Sequence, residues 1–237
     1  GYYDPKYFHK CNHVIGVTPD IVQFLRELGG WADSRSSYIQ TFAPYQEVDS
    51  VARDELDTPQ DAPLIVALGR LHTKKAFDIL LQAMVQIPKA WLWLAGDGPL
   101  RNELLQLSQN LGLEHRVKFL GWREDRHALL SSAQVVVMPS RYEPFGTVMI
   151  EAWAAKKPLV VAAAAGPVGL ARDGVDALVV PVDNAPQLAG AINKIIDDPH
   201  LSHSLAETGY SVWQEHFTEE VVVTKYIEHY QNIGTKD

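Results

Sequence analysis

From residue 63 onward the chain alternates short apolar runs with amphipathic stretches, and this alternation constrains the fold more than any other feature. The runs Pro63 to Leu68, Ala90 to Ala95, Arg116 to Leu120, Gln134 to Met138, Pro158 to Ala162 and Ala177 to Val180 read as strands. Most are apolar on both faces, as strands must be when helices cover each side of a sheet. Helical periodicity fills the gaps over Phe77 to Val85, Leu100 to Leu111, Arg126 to Ser132, Val148 to Ala155 and Gln187 to Ile196. Strand then helix, repeated, predicts an α/β fold with a doubly wound parallel sheet. Gly96-Asp97-Gly98-Pro99 reads as a tight strand-to-helix turn, with Pro99 opening the helix.

The ends follow a different pattern. His13 to Val17 is another buried strand, and Thr18-Pro19-Asp20 caps a helix over Ile21 to Leu28 that stops at Gly29-Gly30. Ser37 to Phe42 is read as a further strand. This unit is too small to form a core alone, so residues 1–44 are expected to be the last piece of a preceding domain. A polar linker follows over 45–61, then a main domain over 62–200. Residues 201–237 read as terminal helices, broken near Phe217-Thr218. The chain has 237 residues, and it opens on Gly1 rather than Met, so the expectation is a fragment or a processed chain. At roughly 150 residues per domain, that length suits one domain or one and a half.

Composition narrows the function classes. Lys plus Arg number 21 and Asp plus Glu 29, a formal charge of −8, which argues against broad binding to nucleic acid or anionic lipid. Cys11 stands alone, so there is no internal disulfide framework or cysteine-rich metal site, which fits a reducing cytosol. No apolar run approaches the ~18 residues of a spanning helix, and no basic-then-apolar leader opens the chain. The nine His are scattered without metal-ligand spacing on one helix, so no metal site is expected.

In an open parallel sheet, ligands bind beyond the carboxyl ends of the strands. After Leu68 comes Gly69-Arg70-Leu71-His72-Thr73-Lys74-Lys75, where three cations stand at a strand-to-helix junction. They suit a diphosphate, with Gly69 allowing close backbone approach, or they form a solvated loop. The glycine spacing of a mononucleotide P-loop is absent. After Met138 comes Pro139-Ser140-Arg141-Tyr142-Glu143-Pro144-Phe145-Gly146, then a helix from Thr147 whose free N–H groups favour an anion. Glu143 precedes that helix start and Glu151 follows it, so one carboxylate could reach sugar hydroxyls and the other ribose hydroxyls. Taken singly, Glu143 reads as an exposed loop acid and Glu151 as a helix-face acid paired with a Lys. Gly96-Asp97-Gly98 lacks the third glycine of a dinucleotide fingerprint, where Arg101 stands. Trp91, Trp93 and Trp153 read as core or interface residues, whereas Trp122-Arg123 is the better candidate for facing a base.

Together these segments resemble the retaining, family-four glycosyltransferases of the GT-B fold, especially the bacterial lipopolysaccharide-type members. The matching stretches are Gly69-Arg70-Leu71 with Lys75, Leu94 to Pro99, Phe119-Leu120-Gly121-Trp122, and Glu143-Pro144-Phe145-Gly146 to Glu151-Ala152-Trp153. They lie in the family's order across residues 63 to 182. The resemblance implies a C-terminal, Rossmann-like, nucleotide-sugar-binding domain. Arg70 and Lys75 would hold the donor diphosphate, Glu151 the ribose and Glu143 the donor sugar. The amides of Phe145, Gly146, Thr147 and Val148 would bind sugar and phosphate oxygens, and Trp122-Arg123 would border the base. Glu143, Arg70 and Lys75 would carry catalysis, with no cofactor and no obligatory metal.

The implied reaction moves a sugar from a nucleotide-diphosphate donor to a glycan or lipid-linked acceptor. It would take place in the cytoplasm or at the inner face of the membrane, with any membrane contact made through the preceding domain. The isolated chain would be inactive without that domain. Related readings are a nucleotide-sugar epimerase, a glycogen-synthase-like polymerase, and a sugar-nucleotide-binding module without chemistry. The chain departs from the family pattern at Ala76 and Lys156, where glycine is usual. It also departs at Gly169, where a Gly-Gly-x-x-Glu motif would place Glu.

Overall fold

A computed structural model describes residues 10–29 and 33–234. Its main sheet has the order β5-β4-β3-β6-β7-β8, with all neighbours parallel. The strands are β3 (Leu64–Leu68), β4 (Trp91–Ala95), β5 (Val117–Gly121), β6 (Val135–Met138), β7 (Leu159–Ala162) and β8 (Leu178–Val180). The chain builds outward from β3 to β5, then crosses back to β6 and builds the other way. That reversal between β3 and β6 is the topological switch point of a doubly wound sheet.

Alternation along the strands sorts the core into two layers. Ile65, Ala67, Leu92, Leu94, Val135 and Val137 face helices α2 (Phe77–Met84), α3 (Arg101–Asn110) and α7 (Ala185–Asp197). Leu64, Val66, Trp93, Ala95, Val136 and Met138 face α4 (Arg126–Ser132) and α5 (Thr147–Ala154). Burial on both faces explains why these strands read as continuous apolar runs. Trp93 and Trp153 are fully buried. Each satisfies its indole N–H, Trp93 on Thr58 Oγ1 and Trp153 on the carbonyl of Asp176, both at 2.8 Å.

The first unit comprises β1 (Val14–Gly16), α1 (Pro19–Gly29) and β2 (Ser36–Tyr38), a separate two-stranded parallel sheet. Thr18 caps α1, its Oγ1 accepting from the Ile21 amide at 3.4 Å. Gly30, read as part of that helix's stop, lies outside the described residues, as do positions 1–9 and 235–237 of the terminal segments. The strand expected over Ser37 to Phe42 is shorter and ends at Tyr38. Its partner β1 stops at Gly16, and only the Ile39 amide follows, on the Gly16 carbonyl at 3.1 Å.

The polar segment 45–61 contains a short helical turn, Arg53–Leu56, and is tied to α4. Tyr45 Oη lies 3.2 Å from Ser131 Oγ, and the Val51 amide donates to Ser132 Oγ at 2.9 Å. Helix α6 (Ala165–Leu170) is absent from the sequence-derived helices. Pro167 falls in the first helical turn, where its missing N–H costs nothing. The terminal helices are α8 (Pro199–His216) and α9 (Glu219–Gly234), broken at Phe217-Thr218.

Candidate functional site

The loops leaving β3 and β6 meet at the switch point. In the first, Gly69 has φ +154°, a conformation open to glycine. The turn after β4 supports this loop from below. A Cβ on Gly96 would lie 1.9 Å from the Gly69 carbonyl oxygen, and one on Gly98 would lie 2.4 Å from that of Leu71. The Leu71 amide donates to the Asp97 carbonyl at 2.9 Å. The Gly96-Asp97-Gly98 stretch is therefore a close-approach turn that seats the Gly69 loop.

The second loop ends at Gly146, φ +93°, which begins α5. The first amides of α5 have no partner within the helix and point out of its start. Helix α6 braces this loop: the Gly166 amide donates to the Glu143 carbonyl at 2.9 Å, and a Cβ there would lie 2.6 Å from that oxygen. The retained glycine of the family's motif thus serves close packing. A Cβ at Gly169 meets no atom within 4 Å.

Between the loops lies a cavity of about 230 Å³, lined by Gly69, Arg70, Trp122, Arg123, Thr147, Val148 and Glu151 among others. Seven of the sequence-derived candidates converge there. Lys75, Glu143, Phe145 and Gly146 stand beside it. Lys75 Nζ forms an ion pair with Glu143 Oε2, and the Lys75 stem passes Gly69, where a Cβ would lie 3.5 Å from its Cδ and Cε. Glu143 is buried rather than an exposed loop acid. The Phe145 side chain packs into the core edge-on to Phe217, 6.3 Å between ring centres, so only its backbone faces the crevice. Trp122 is 79% exposed at the cavity rim.

Arg70, Arg123 and Arg126 line the cavity with a single carboxylate, that of Glu151. Arg70 is exposed, with no ion-pair partner among the described residues. Arg123 is held by Asp125 through a two-point contact at 2.7 and 2.5 Å, which raises the Arg123 pKa and lowers that of Asp125. Burial pushes the Glu151 carboxyl above the ordinary range, with Arg126 pulling the other way. That partner is an arginine, not the lysine considered from sequence: Arg126 Nε lies 2.9 Å from Glu151 Oε1.

Two residues were missed from sequence. Arg126 is one, and its position at the first turn of a helix following a strand end was the available signal. Arg141 is the other. It contacts both oxygens of Asp78 at 2.9 and 2.6 Å, Asp183 at 2.5 Å and the Thr73 carbonyl at 2.9 Å. The amides of Arg141 and Tyr142 donate to the Lys74 carbonyl, so the two ligand loops are sewn together. Among the described residues no group of three or more His, Cys, Asp or Glu could hold a metal ion.

A six-stranded doubly wound sheet with a cation-lined crevice at its switch point defines an α/β domain suited to phosphorylated ligands. Residues 49–212 match the family described as Glycosyl transferases group 1, and the chain belongs to that family. It is 36% identical over 222 residues to the lipopolysaccharide core biosynthesis glycosyltransferase LpsE of Rhizobium meliloti, covering 94% of this chain and 65% of the relative. The corresponding LpsD of that organism is 35% identical, with 94% and 64% covered. The chain therefore spans a little under two thirds of these relatives. Sucrose-phosphate synthase from Thermosynechococcus elongatus superposes with a TM-score of 0.85 at 29% identity, covering 98% of this chain and 61% of that one. HepE of Anabaena, solved in complex with UDP and glucose, gives 0.81 at 26% identity, with 94% and 63% covered.

Proposed function

We propose that the chain is the donor-binding half of a retaining, family-four glycosyltransferase acting in bacterial lipopolysaccharide or cell-surface polysaccharide synthesis. The observation that carries this reading is the switch-point cavity, where Arg70, Trp122, the start of α5 and Glu151 line one space. In this reading Arg70 and Lys75 hold the diphosphate, and the amides from Phe145 to Val148 bind sugar and phosphate oxygens. Glu151 accepts from the ribose hydroxyls, Glu143 from the donor sugar, and Trp122-Arg123 border the base. The names of LpsE and LpsD support the setting, and the UDP and glucose of HepE support the donor class.

Residues 1–44 would close a preceding acceptor-facing domain, with 45–61 the linker, 62–200 the donor domain and 201–237 the terminal helices. Helix α9 returns to the first unit, where the His229 and His13 rings meet edge-on at 4.5 Å. The acceptor is a hydroxyl on a glycan or lipid-linked chain, and the setting is the cytoplasm or the inner membrane face. In the reaction the bond between the anomeric carbon and the phosphate oxygen breaks, and its electron pair leaves with the diphosphate. The acceptor oxygen bonds the same face of that carbon, and its proton passes to the departing phosphate oxygen. Arg70, Lys75 and the α5 start stabilise the leaving charge without requiring a metal.

A thermal-shift panel of UDP-, ADP- and GDP-sugars tests the binding class. Calorimetry on the stabilising ligand then compares variants. Arg70→Ala and Lys75→Ala are expected to weaken binding about tenfold or more, since a charge-assisted contact contributes about 1.5–3 kcal/mol. Lys74→Ala, whose ammonium sits 4.8 Å over the Tyr142 ring, is expected to matter less. Equal, negligible effects from all three, or no response to any nucleotide sugar, would overturn the reading.

A further inference from the structure

Arg126 and Glu151 line the same cavity from different helices. Arg126 is the first residue of α4, and Glu151 lies just over a turn inside α5. Their exposures differ sharply: the Glu151 side chain is 9% accessible and that of Arg126 is 48%. A carboxylate this deeply buried loses hydration, and the loss favours its neutral form. A neutral Glu151 would donate one proton and accept poorly, the wrong chemistry for a pair of ligand hydroxyls. Arg126 Nε occupies Oε1, and among the described residues Oε2 has no hydrogen-bond partner, so one carboxylate oxygen stays available to a ligand.

The surroundings isolate this pair as the charge-setting contact. Arg70 and Arg123 also face the cavity, but Arg123 is already engaged by Asp125. On α8, which packs along α5, Glu207 is taken by Lys156. The β6 and β7 residues behind α5 are apolar. His127, adjacent to Arg126, is held toward its neutral form first by burial and then by that arginine.

We propose that Arg126 is a positioning residue of the nucleotide site, holding Glu151 as an ionised, aimed acceptor for the hydroxyl pair of a nucleoside. The proposal rests on the donor-site reading given above. It deepens that reading by naming what limits the upward push of burial on this carboxylate and so keeps it an acceptor near neutral pH. Without the guanidinium, burial raises the Glu151 midpoint further. The acceptor is then lost as pH falls through that midpoint.

The test has a ligand-free arm and a ligand arm, both on the full chain. Carbon-detected NMR of the Glu151 carboxyl follows its titration in the parent, in Arg126→Gln and in Arg126→Lys. The midpoint is expected to move to higher pH in Arg126→Gln and to return in Arg126→Lys. Calorimetry then measures UDP, ADP and GDP between about pH 5 and about pH 8. The diphosphate's terminal phosphate titrates in the same range, so each variant is read as its affinity relative to the parent at the same pH. Arg126→Gln is expected to lose at least about fivefold at the acid end, since each unit between pH and midpoint is worth up to a factor of ten. Arg126→Lys should restore the parent's pH profile, which a merely structural role would not predict. An unmoved Glu151 midpoint in Arg126→Gln overturns the proposal. A moved midpoint with no binding of any diphosphate by the parent overturns the donor-site reading and leaves the charge-setting contact standing. A moved midpoint with an Arg126→Gln-to-parent affinity ratio that does not change with pH overturns the acceptor role of Glu151.

Discussion

Lys75 and Glu143 face each other across the two ligand loops, and each is assigned to a different part of the same donor. Their side chains are 25% and 11% accessible, so the pair is partly shielded and must open for a diphosphate to reach Lys75. Glu143→Gln removes the internal competitor for that lysine. It is expected to leave nucleoside diphosphate affinity unchanged or higher, while the extra affinity contributed by the sugar falls; calorimetry with both ligands measures the split. A parallel loss of both would instead make Glu143 a support for the loop.

Four described non-glycine residues lie at positive φ: Asp57, Ala76, Lys156 and Asp183. Ala76 and Lys156 sit at φ +52° and +51°, in the left-handed region that costs a non-glycine residue roughly 1–2 kcal/mol. These are the positions where the resemblance implies glycine. Lys156 is half exposed, and its pair with Glu207 is a surface one that contributes little. Lys156→Gly is therefore expected to stabilise the fold by about 0.5–1 kcal/mol, read as a higher urea midpoint at unchanged slope. At Ala76 the methyl is fully buried, so relief of strain and loss of packing oppose each other.

Among the elements, α5 decides the site, because its start faces the crevice and its far end carries the contact with α8. Gly209 lets α8 cross there: a Cβ would lie 2.3 Å from Trp153 Cδ1. Trp153 has no room to retreat, being fully buried with its Nε1 on the Asp176 carbonyl. Gly209→Ala gains about 1 kcal/mol of helix propensity, yet overpacking a core costs roughly 1–3 kcal/mol. The net expectation is a lower melting temperature. Arg141 acts between elements, joining the loop after β3 to the loop after β6 and to Asp183. Arg141→Met keeps much of the stem and removes the guanidinium. Donor affinity should fall more than stability does, a difference checked by calorimetry alongside a melt.

For the whole molecule, the expectation is binding without turnover. The residues proposed to hold the donor line or border one cavity, whereas the acceptor side is, in that proposal, assigned to a domain of which the first unit would be the end. Bringing two substrates together supplies a large part of a transferase's rate. The chain by itself should bind a nucleotide sugar weakly and be stabilised by it in proportion to occupancy. A glycosyl-transfer assay with the stabilising donor should give no product, and robust transfer would overturn the division of labour.

The strand-helix alternation was sufficient for the six strands, their class of sheet and the side on which ligands bind, because burial on both faces leaves an apolar run for each strand. Cations and carboxylates at strand ends stood out as candidates because ligands of an open parallel sheet bind on that side. Other features depended on contacts distant in sequence. The end of β2 at Tyr38 was set by where its partner stopped. Helix α6, which has no clear periodicity of its own, braces the Glu143 loop. The pairing of Glu151 with Arg126 joins two helices 25 positions apart in sequence. A residue's type and local spacing state what chemistry it offers, and only the packed fold decides which charge it meets and how much water remains around it.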